Sequence, residues 1–252
     1  QPALEPEKWV RELLTAAKGA GADPAVRIAS SIDEAFAPGT DVSKLSFRLR
    51  DDYTTLVWLG GTKALWELRD PRRAAPLFYR YGAAAQTPGT RSKGFYWAGR
   101  AMAQAGDSAG ANRYFEMAAR YAEYFYGQLA LERLGRPLPN FDTMPQSRPT
   151  SAERAAFMAK PLTRAVRDVA RDADWRTGVQ FFREISDQAQ SEADHVLVAD
   201  LAREIGRRDL GVILGQSAHA EGYSNFGRIA FPEMPVPPGG NWIMAHALAR
   251  QE

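Results

Sequence analysis

Apolar positions recur every three to four residues along most of the chain, which is the spacing of amphipathic helices. Near the N-terminus this spacing predicts one helix that begins after Pro6 and ends at Gly19–Gly21, and a second from Pro24 to about Phe36. Residues 37–50 show only a weak alternation at Phe47 and Leu49, so they are predicted as a loop or linker in which a short strand is allowed.

An internal repeat follows, in which each copy predicts a helix, a tight turn and a second helix. The first helices match at an offset of 39 residues and the second helices at 37. Small Gly and Ala side chains let two helices approach closely, and a Phe fills the gap between them. The first copy contains Trp58-Leu-Gly-Gly-Thr-Lys-Ala64, Asp70 and Ala74-x-x-x-Phe78, and the second contains Trp97-Ala-Gly-Arg-Ala-Met-Ala103, Asp107 and Ala111-x-x-x-Phe115.

The second copy also has the residue spacing of a tetratricopeptide-type hairpin, with a third partner helix at 121–135. A single hairpin cannot bury its apolar face alone, so such units stack into a superhelix. The alternative interpretation is two unrelated Ala-rich hairpins.

Two clusters of helix-breaking residues, at 136–150 and 232–240, divide the chain. Between them the periodicity predicts further helices, and Asn241 can cap a last helix. The predicted fold is all-α, with a hairpin superhelix at 1–147, a helical linker module at 148–222 and an entry segment with one helix at 223–252. The predicted later helices are 151–172, broken near Pro161, then 175–189, 191–205, 208–221 and 242–252.

Composition removes several classes of function. The 252 residues include no Cys, which excludes disulfides, a thiol nucleophile and thiolate metal sites. The net charge is only +2, which argues against a nucleic-acid partner. The charge is uneven, however, because residues 71–120 hold eight basic and two acidic side chains, a net of +6. This segment either attracts an anionic polymer or forms an Arg face against which acidic helices pack.

The familiar catalytic and nucleotide-binding motifs are missing, and we expect neither a cofactor nor a metal. His195, His219 and His246 lack the spacing of metal ligands and are predicted to be surface or locally satisfied residues. The aromatic residues of 121–126 either stack on sugar rings or, as their helical spacing favours, fill a hairpin core.

The last helix, Trp242–Glu252, is apolar nearly all round, so we expect it to be buried on all sides. Its end, Ala245-His-Ala-Leu-Ala-Arg-Gln-Glu252, resembles the first catalytic motif of the soluble lytic murein transglycosylases. Three further stretches resemble the superhelical domain and the entry to the catalytic domain of that family: Ser92-Lys-Gly-Phe-Tyr-Trp-Ala-Gly-Arg100, Phe125-Tyr-Gly-Gln-Leu-Ala-Leu-Glu-Arg-Leu-Gly135 and Phe226-Gly-Arg-Ile-Ala-Phe-Pro232.

The resemblance implies a monomeric periplasmic enzyme that acts on the glycan strand of peptidoglycan. Such an enzyme cleaves the β-1,4 bond between N-acetylmuramic acid and N-acetylglucosamine and forms a 1,6-anhydro sugar. It also implies that Glu252 is the catalytic residue, which protonates the glycosidic oxygen and then takes the proton of the muramyl C6 hydroxyl. Membrane-associated or cell-division partners are not identified by any motif.

Glu252 is the last residue given, so we expect these residues to be the superhelical scaffold of a longer transglycosylase, shortened at the N-terminus as well and inactive alone. The alternative is a non-catalytic tetratricopeptide-like scaffold that binds a protein partner. A helical repeat that binds nucleic acid is a distant third hypothesis.

Overall fold

A computed structural model describes residues 5–170 and 172–251, which form α-helices joined by turns and short 3₁₀ segments, with no strand among them. The predicted all-α class is therefore confirmed. The chain divides into two units, residues 1–139 (unit 1) and residues 140–252 (unit 2).

Unit 1 is built from seven described α-helices, most of which pack against the next helix in the chain. Its largest apolar core runs from α1 to α5 and includes Val26, Leu56 and Phe78, each fully buried. The helices are α1 (Pro6–Gly19), α2 (Ala22–Ser31), α3 (Phe47–Thr62), α4 (Pro71–Ala84), α5 (Pro88–Gln104), α6 (Ser108–Ala119) and α7 (Phe125–Arg133), with 3₁₀ turns at Ile32–Ala35 and Val42–Lys44.

The expectation of a loop or strand up to residue 50 was wrong for its last part, because α3 begins at Phe47. The hydroxyl of Ser46 accepts a hydrogen bond from the Leu49 backbone N–H at 3.3 Å and caps the helix. Leu49 is buried while Phe47 is exposed, since residues two apart lie on different faces of a helix. In the sequence, two apolar residues spaced by two do not distinguish the start of a helix from a short strand.

Both copies of the repeat are helical hairpins with the same two contacts. The Asp70 carboxylate accepts the Arg73 N–H at 3.1 Å and caps α4, and Asp107 caps α6 in the same way. A Cβ atom on Gly61 would lie 2.8 Å from the ring of Phe78. In the second copy Gly99, which aligns with Gly60, makes a similar contact one position earlier, since its Cβ atom would lie 2.6 Å from the Phe115 ring; glycine is therefore required where each Phe wedges between two helices.

The two additional residues of the first copy lie in its turn. Helix α3 continues as a π-helical turn at Lys63–Glu67, which accommodates extra residues within a helix. The turn then ends at Arg69 with a φ of 55°, in the left-handed region. The second copy places Gly106 there, with a φ of 79°, before the capping Asp.

Helices α4 and α5 approach most closely where two glycines meet. A Cβ atom on Gly94 would lie 2.4 Å from the backbone nitrogen of Gly82 and 2.7 Å from the carbonyl oxygen of Phe78. Any larger residue at Gly94 would therefore push the two helix backbones apart.

Unit 2 contains the predicted later helices, with ends that differ by a few residues. Phe182, Leu201 and Leu210 are buried in its core. The helices are α8 (Ser151–Ala159), α9 (Pro161–Val169), α10 (Trp175–Asp187), α11 (Glu192–Glu204), α12 (Arg208–Ala220), α13 (Gly227–Ala230) and α14 (Trp242–Gln251).

Helix α14 does not show the burial expected from its composition. Trp242 is 51% exposed, Ile243 75% and Leu248 59%. The apolar side chains therefore face solvent in the described structure.

Candidate functional site

Unit 1 contains a chain of neighbouring aromatic rings, some exposed and some buried, which we call the aromatic strip. Its members come from α3, the π-helical turn, α4, α5 and α7, so helices distant in sequence contribute neighbouring rings. The rings of the strip are Tyr81, Trp58, Trp66, Trp97, Tyr96, Tyr126 and Phe125.

Ring contacts along the strip pass through two buried rings, Phe78 beneath it and Tyr96 within it. Trp58 lies 4.7 Å from Tyr81, and Trp66 lies 5.3 Å from Trp97, measured between ring centroids. The buried ring of Phe78 links the two pairs, at 5.1 Å from Trp58 and 6.4 Å from Trp66. The repeat therefore places its two equivalent Trp residues on one surface, with the wedging Phe beneath them.

At its far end the strip continues onto α7. Tyr126 lies 5.5 Å from Tyr96 and 5.2 Å from Phe125, which is 66% exposed. Of the predicted 121–126 cluster, Tyr121 is instead held by Arg91, whose Nε donates to the Tyr121 hydroxyl at 2.8 Å. The cluster thus divides between hairpin packing and the exposed strip.

Two cations of α5 lie on the strip. The Lys93 Nζ atom lies 3.9 Å above the Trp58 ring centroid, and the Arg100 guanidinium carbon lies 5.5 Å from that of Trp97. Neither forms an ion pair with a carboxylate among the described residues. Burial lowers the pKa of Lys93, because a partly desolvated ammonium is less stable. Burial also raises the pKa of Tyr81, and the nearby Tyr126 adds to this effect.

A cleft of about 440 Å³ opens beside Trp58 and Tyr81, between α3, α4 and the start of α5. This volume falls in the range of small-molecule sites. Polar side chains share its lining with the aromatic rings: Arg50, Asp51, Thr54, Thr55, Gln86, Thr87 and Thr90.

The basic segment 71–120 is partly neutralised by earlier helices. Arg73 pairs with Asp23 at 2.8 Å, and Arg80 pairs with Asp33 at 2.8 Å. These contacts match the interpretation of an Arg face packed against acidic helices. Lys93 and Arg100 are different, because their neighbours are aromatic rings.

The residues singled out from the sequence are described only in part. Glu252 lies outside the described residues, as does the side chain of His219. His195 is buried in unit 2, where its Nε2 lies 3.1 Å from a carboxylate oxygen of Glu221. His246 accepts the Met234 N–H at Nε2, at 2.9 Å. Both described histidines are thus locally satisfied.

Comparisons with protein-family models, with curated proteins and with solved structures found no significant match to this chain. Over the described residues, no three His, Asp or Glu side chains are placed to hold a metal ion. None of the helices in that part of the chain is both long and apolar enough to cross a membrane.

Sequence reasoning missed the cations of the strip, although a signal for them exists. Lys93, Trp97 and Arg100 are spaced by four and three residues, which places them on one face of a helix. No comparable signal existed for Trp66 or Tyr81. Their positions depend on the π-helical turn and on the packing of α4, which no short-range pattern describes.

Proposed function

We propose that this chain belongs to a peptidoglycan lytic transglycosylase, and that unit 1 is a tetratricopeptide-like superhelical scaffold that binds the glycan strand. The aromatic strip carries this proposal. Aromatic rings supply apolar area to the faces of sugar rings, while phenol, indole and hydroxyl groups supply hydrogen bonds. The motif at Ala245–Glu252 and the stretch Phe125–Gly135 support the same family.

In this proposal Glu252 has the chemical role. As an acid it donates its proton to the glycosidic oxygen, and the C1–O bond breaks. As a carboxylate it then takes the proton of the muramyl C6 hydroxyl, whose oxygen attacks C1 and closes the 1,6-anhydro ring. The proton leaves with the departing sugar and is replaced from the C6 hydroxyl, so no water is consumed.

A sacculus-binding assay tests the scaffold role. Trp66 and Trp9 are 52% and 50% exposed, but only Trp66 belongs to the strip. We expect Trp66→Ala to reduce binding of the chain to purified sacculi several-fold and Trp9→Ala to leave it unchanged. Equal binding by both variants and the wild type would show that the strip does not bind the glycan strand.

The same assay separates the alternative, a scaffold that binds a protein partner. That hypothesis expects no retention of the wild-type chain on sacculi at any salt concentration. A salt series also tests whether the positive segment 71–120 contributes, because electrostatic binding weakens as ionic strength rises. Salt-independent retention would contradict that contribution.

The assignment of Glu252 requires a separate measurement. In a protein that contains this chain and releases 1,6-anhydro muropeptides, Glu252→Gln should abolish release while sacculus binding persists. Chromatography of the soluble products gives the result, and continued release by the variant would show that another residue is the acid.

A further inference from the structure

We propose that the cleft beside Trp58 and Tyr81 is a subsite for a hydroxyl-rich sugar that carries a carboxylate, and that Lys93 binds the carboxylate. Muramic acid residues that carry no peptide stem have this chemistry, because their lactyl carboxyl group is free, whereas N-acetylglucosamine residues lack the acid. The inference rests on the proposed glycan-binding function and adds to it a site in unit 1 and a preference between the two sugars.

Lys93 lies close to two aromatic rings. Its ammonium lies 3.9 Å from the Trp58 ring centroid and 5.6 Å from that of Tyr81, and no carboxylate pairs with it among the described residues. Both rings line the cleft. A partly desolvated cation without a counter-ion interacts more strongly with an added anion than a fully hydrated one does.

Arg50 adds a second positive charge to the cleft. Its Nε donates to the carbonyl oxygen of Leu45 at 3.1 Å, while its guanidinium carbon lies 5.8 Å from the Phe47 ring centroid. Within the described part of the chain no carboxylate pairs with this guanidinium. Arg50 thus lines the cleft itself, while Lys93 lies against two of the rings that line it.

Asp51 adds a negative charge to the cleft, which restricts the kind of anion that can bind there. It lines the same cleft, is exposed, and has no ion-pair partner in the described structure. A small dianion such as phosphate would be repelled by it. A sugar can instead donate a ring hydroxyl to Asp51 while its single carboxylate reaches Lys93, so the mixed charges favour an acidic sugar.

The remaining polar groups suit ring hydroxyls and amides. The Gln86 amide nitrogen donates to the Ser43 carbonyl at 2.8 Å, which leaves the amide oxygen as an acceptor. Thr87 and Thr90 hydrogen-bond to each other at 2.7 Å and can each still accept another hydrogen bond. Tyr81 and Trp58 present ring surface and one donor each.

Calorimetric titration of the 252-residue chain tests the inference with two disaccharides. The acidic probe is N-acetylglucosaminyl-N-acetylmuramic acid, and the neutral probe is N,N′-diacetylchitobiose. We expect the acidic probe to bind roughly tenfold more tightly, because a charge-assisted hydrogen bond to a desolvated cation is a strong one. The variant Lys93→Gln should abolish this preference.

Arg113→Gln is the matched control, since it removes one positive charge from an exposed position of the same basic segment. It should retain the preference, and circular dichroism should show both variants folded. Equal affinities for the two probes, or equal loss in both variants, would overturn the subsite. The comparison of probes on the wild type stands even if Lys93→Gln unfolds.

The outcome is distinguishable from failure of the proposed function. If sacculi bind but neither disaccharide does, the cleft subsite is overturned and the glycan-binding strip is retained. If the wild-type chain binds neither sacculi nor disaccharides, the proposed function itself fails.

Discussion

The two hairpins of unit 1, α3–α4 and α5–α6, share their contacts but differ in how the chain reverses between their helices. Both have an Asp cap on the second helix and a Phe packed against a glycine. The first hairpin reverses through the π-helical turn Lys63–Glu67 and the left-handed Arg69, whereas the second uses Gly106. The shared contacts therefore fix the hairpin, and the turn is free to vary.

The variation has a consequence for the proposed binding surface. The π-helical turn carries Trp66, which the second hairpin lacks, and places it 5.3 Å from Trp97. π-Helical turns are rare and frequently occur at functional sites. Phe78 contacts both repeat Trp residues, Trp58 and Trp97, and the longer turn of the first hairpin adds Trp66 beside Trp97 as a further exposed ring.

The wedging Phe residues give the largest expected effects. Phe78→Ala and Phe115→Ala should each lower the free energy of unfolding by about 3–5 kcal/mol, because each leaves a cavity. Phe78→Ala should lower the free energy of unfolding more, since the Phe78 ring contacts Trp58, Trp66 and Trp97, whereas the Phe115 ring contacts Tyr96. Urea unfolding followed by tryptophan fluorescence measures both, and a larger loss in Phe115→Ala would reverse the comparison.

Substitutions of the glycines opposite these Phe rings should give the next largest effects on stability. Gly99→Ala would place its Cβ 2.6 Å from the Phe115 ring and 3.2 Å from the Ala111 carbonyl oxygen, while the atoms nearest to the Cβ of Gly61→Ala belong to the Phe78 ring, at 2.8 Å. Overpacking costs about 1–3 kcal/mol and is partly offset by the better helix propensity of Ala. Gly99→Ala should therefore be the more destabilising variant in the same unfolding assay.

Gly211 provides the control for helix propensity, because a Cβ atom added at this position would meet no neighbouring atom within 4 Å. Gly211→Ala should stabilise unit 2 by about 0.5–1 kcal/mol. If Gly99→Ala were equally stabilising, the close contact between Gly99 and Phe115 would not exist in solution.

These contacts were largely predictable because they are encoded locally. The Ala-x-x-x-Phe spacing, the capping Asp and the paired small residues repeat along the chain, so the second copy supports the interpretation of the first. The start of α3 was missed since a single cap at Ser46 defines it. The aromatic strip was missed because Tyr81, Trp58 and Tyr126 meet only through packing of helices distant in sequence, and no pairwise spacing records that packing.

Substitutions at the left-handed position before the capping Asp should change stability in opposite directions in the two hairpins, because the first has Arg69 there and the second has Gly106. A residue with a side chain is destabilised there by about 1–2 kcal/mol, whereas glycine is not. Arg69→Gly should therefore stabilise the first hairpin by about 0.5 kcal/mol, after the entropy of glycine is subtracted. Gly106→Ala should destabilise the second by about 1 kcal/mol. Thermal unfolding of both variants checks the signs, and two changes of the same sign would contradict the equivalence of the positions.

The smallest expected effect comes from an ion pair of the first hairpin whose basic residue is not repeated in the second. Arg73 of α4 pairs with Asp23 of α2, whereas the second copy has Gly110 at the equivalent position. The hydrogen bond from Arg73 lowers the pKa of Asp23, and the charge of Arg27 contributes further. Because the folded-state pKa is the lower one, this pair stabilises the fold above the unfolded-state pKa of Asp23 and ceases to do so as the pH falls through the folded-state value.

Carboxyl NMR titration measures this effect directly. Arg73→Gln should raise the pKa of Asp23 towards its ordinary value, and Arg27→Gln should raise it less, since the hydrogen bond from Arg73 is the larger cause. Stability near neutral pH should change little in either variant, as is usual for exposed ion pairs. A larger pKa change in Arg27→Gln would mean that Arg73 does not hold Asp23, and that the positive charge of α4 is free to act elsewhere.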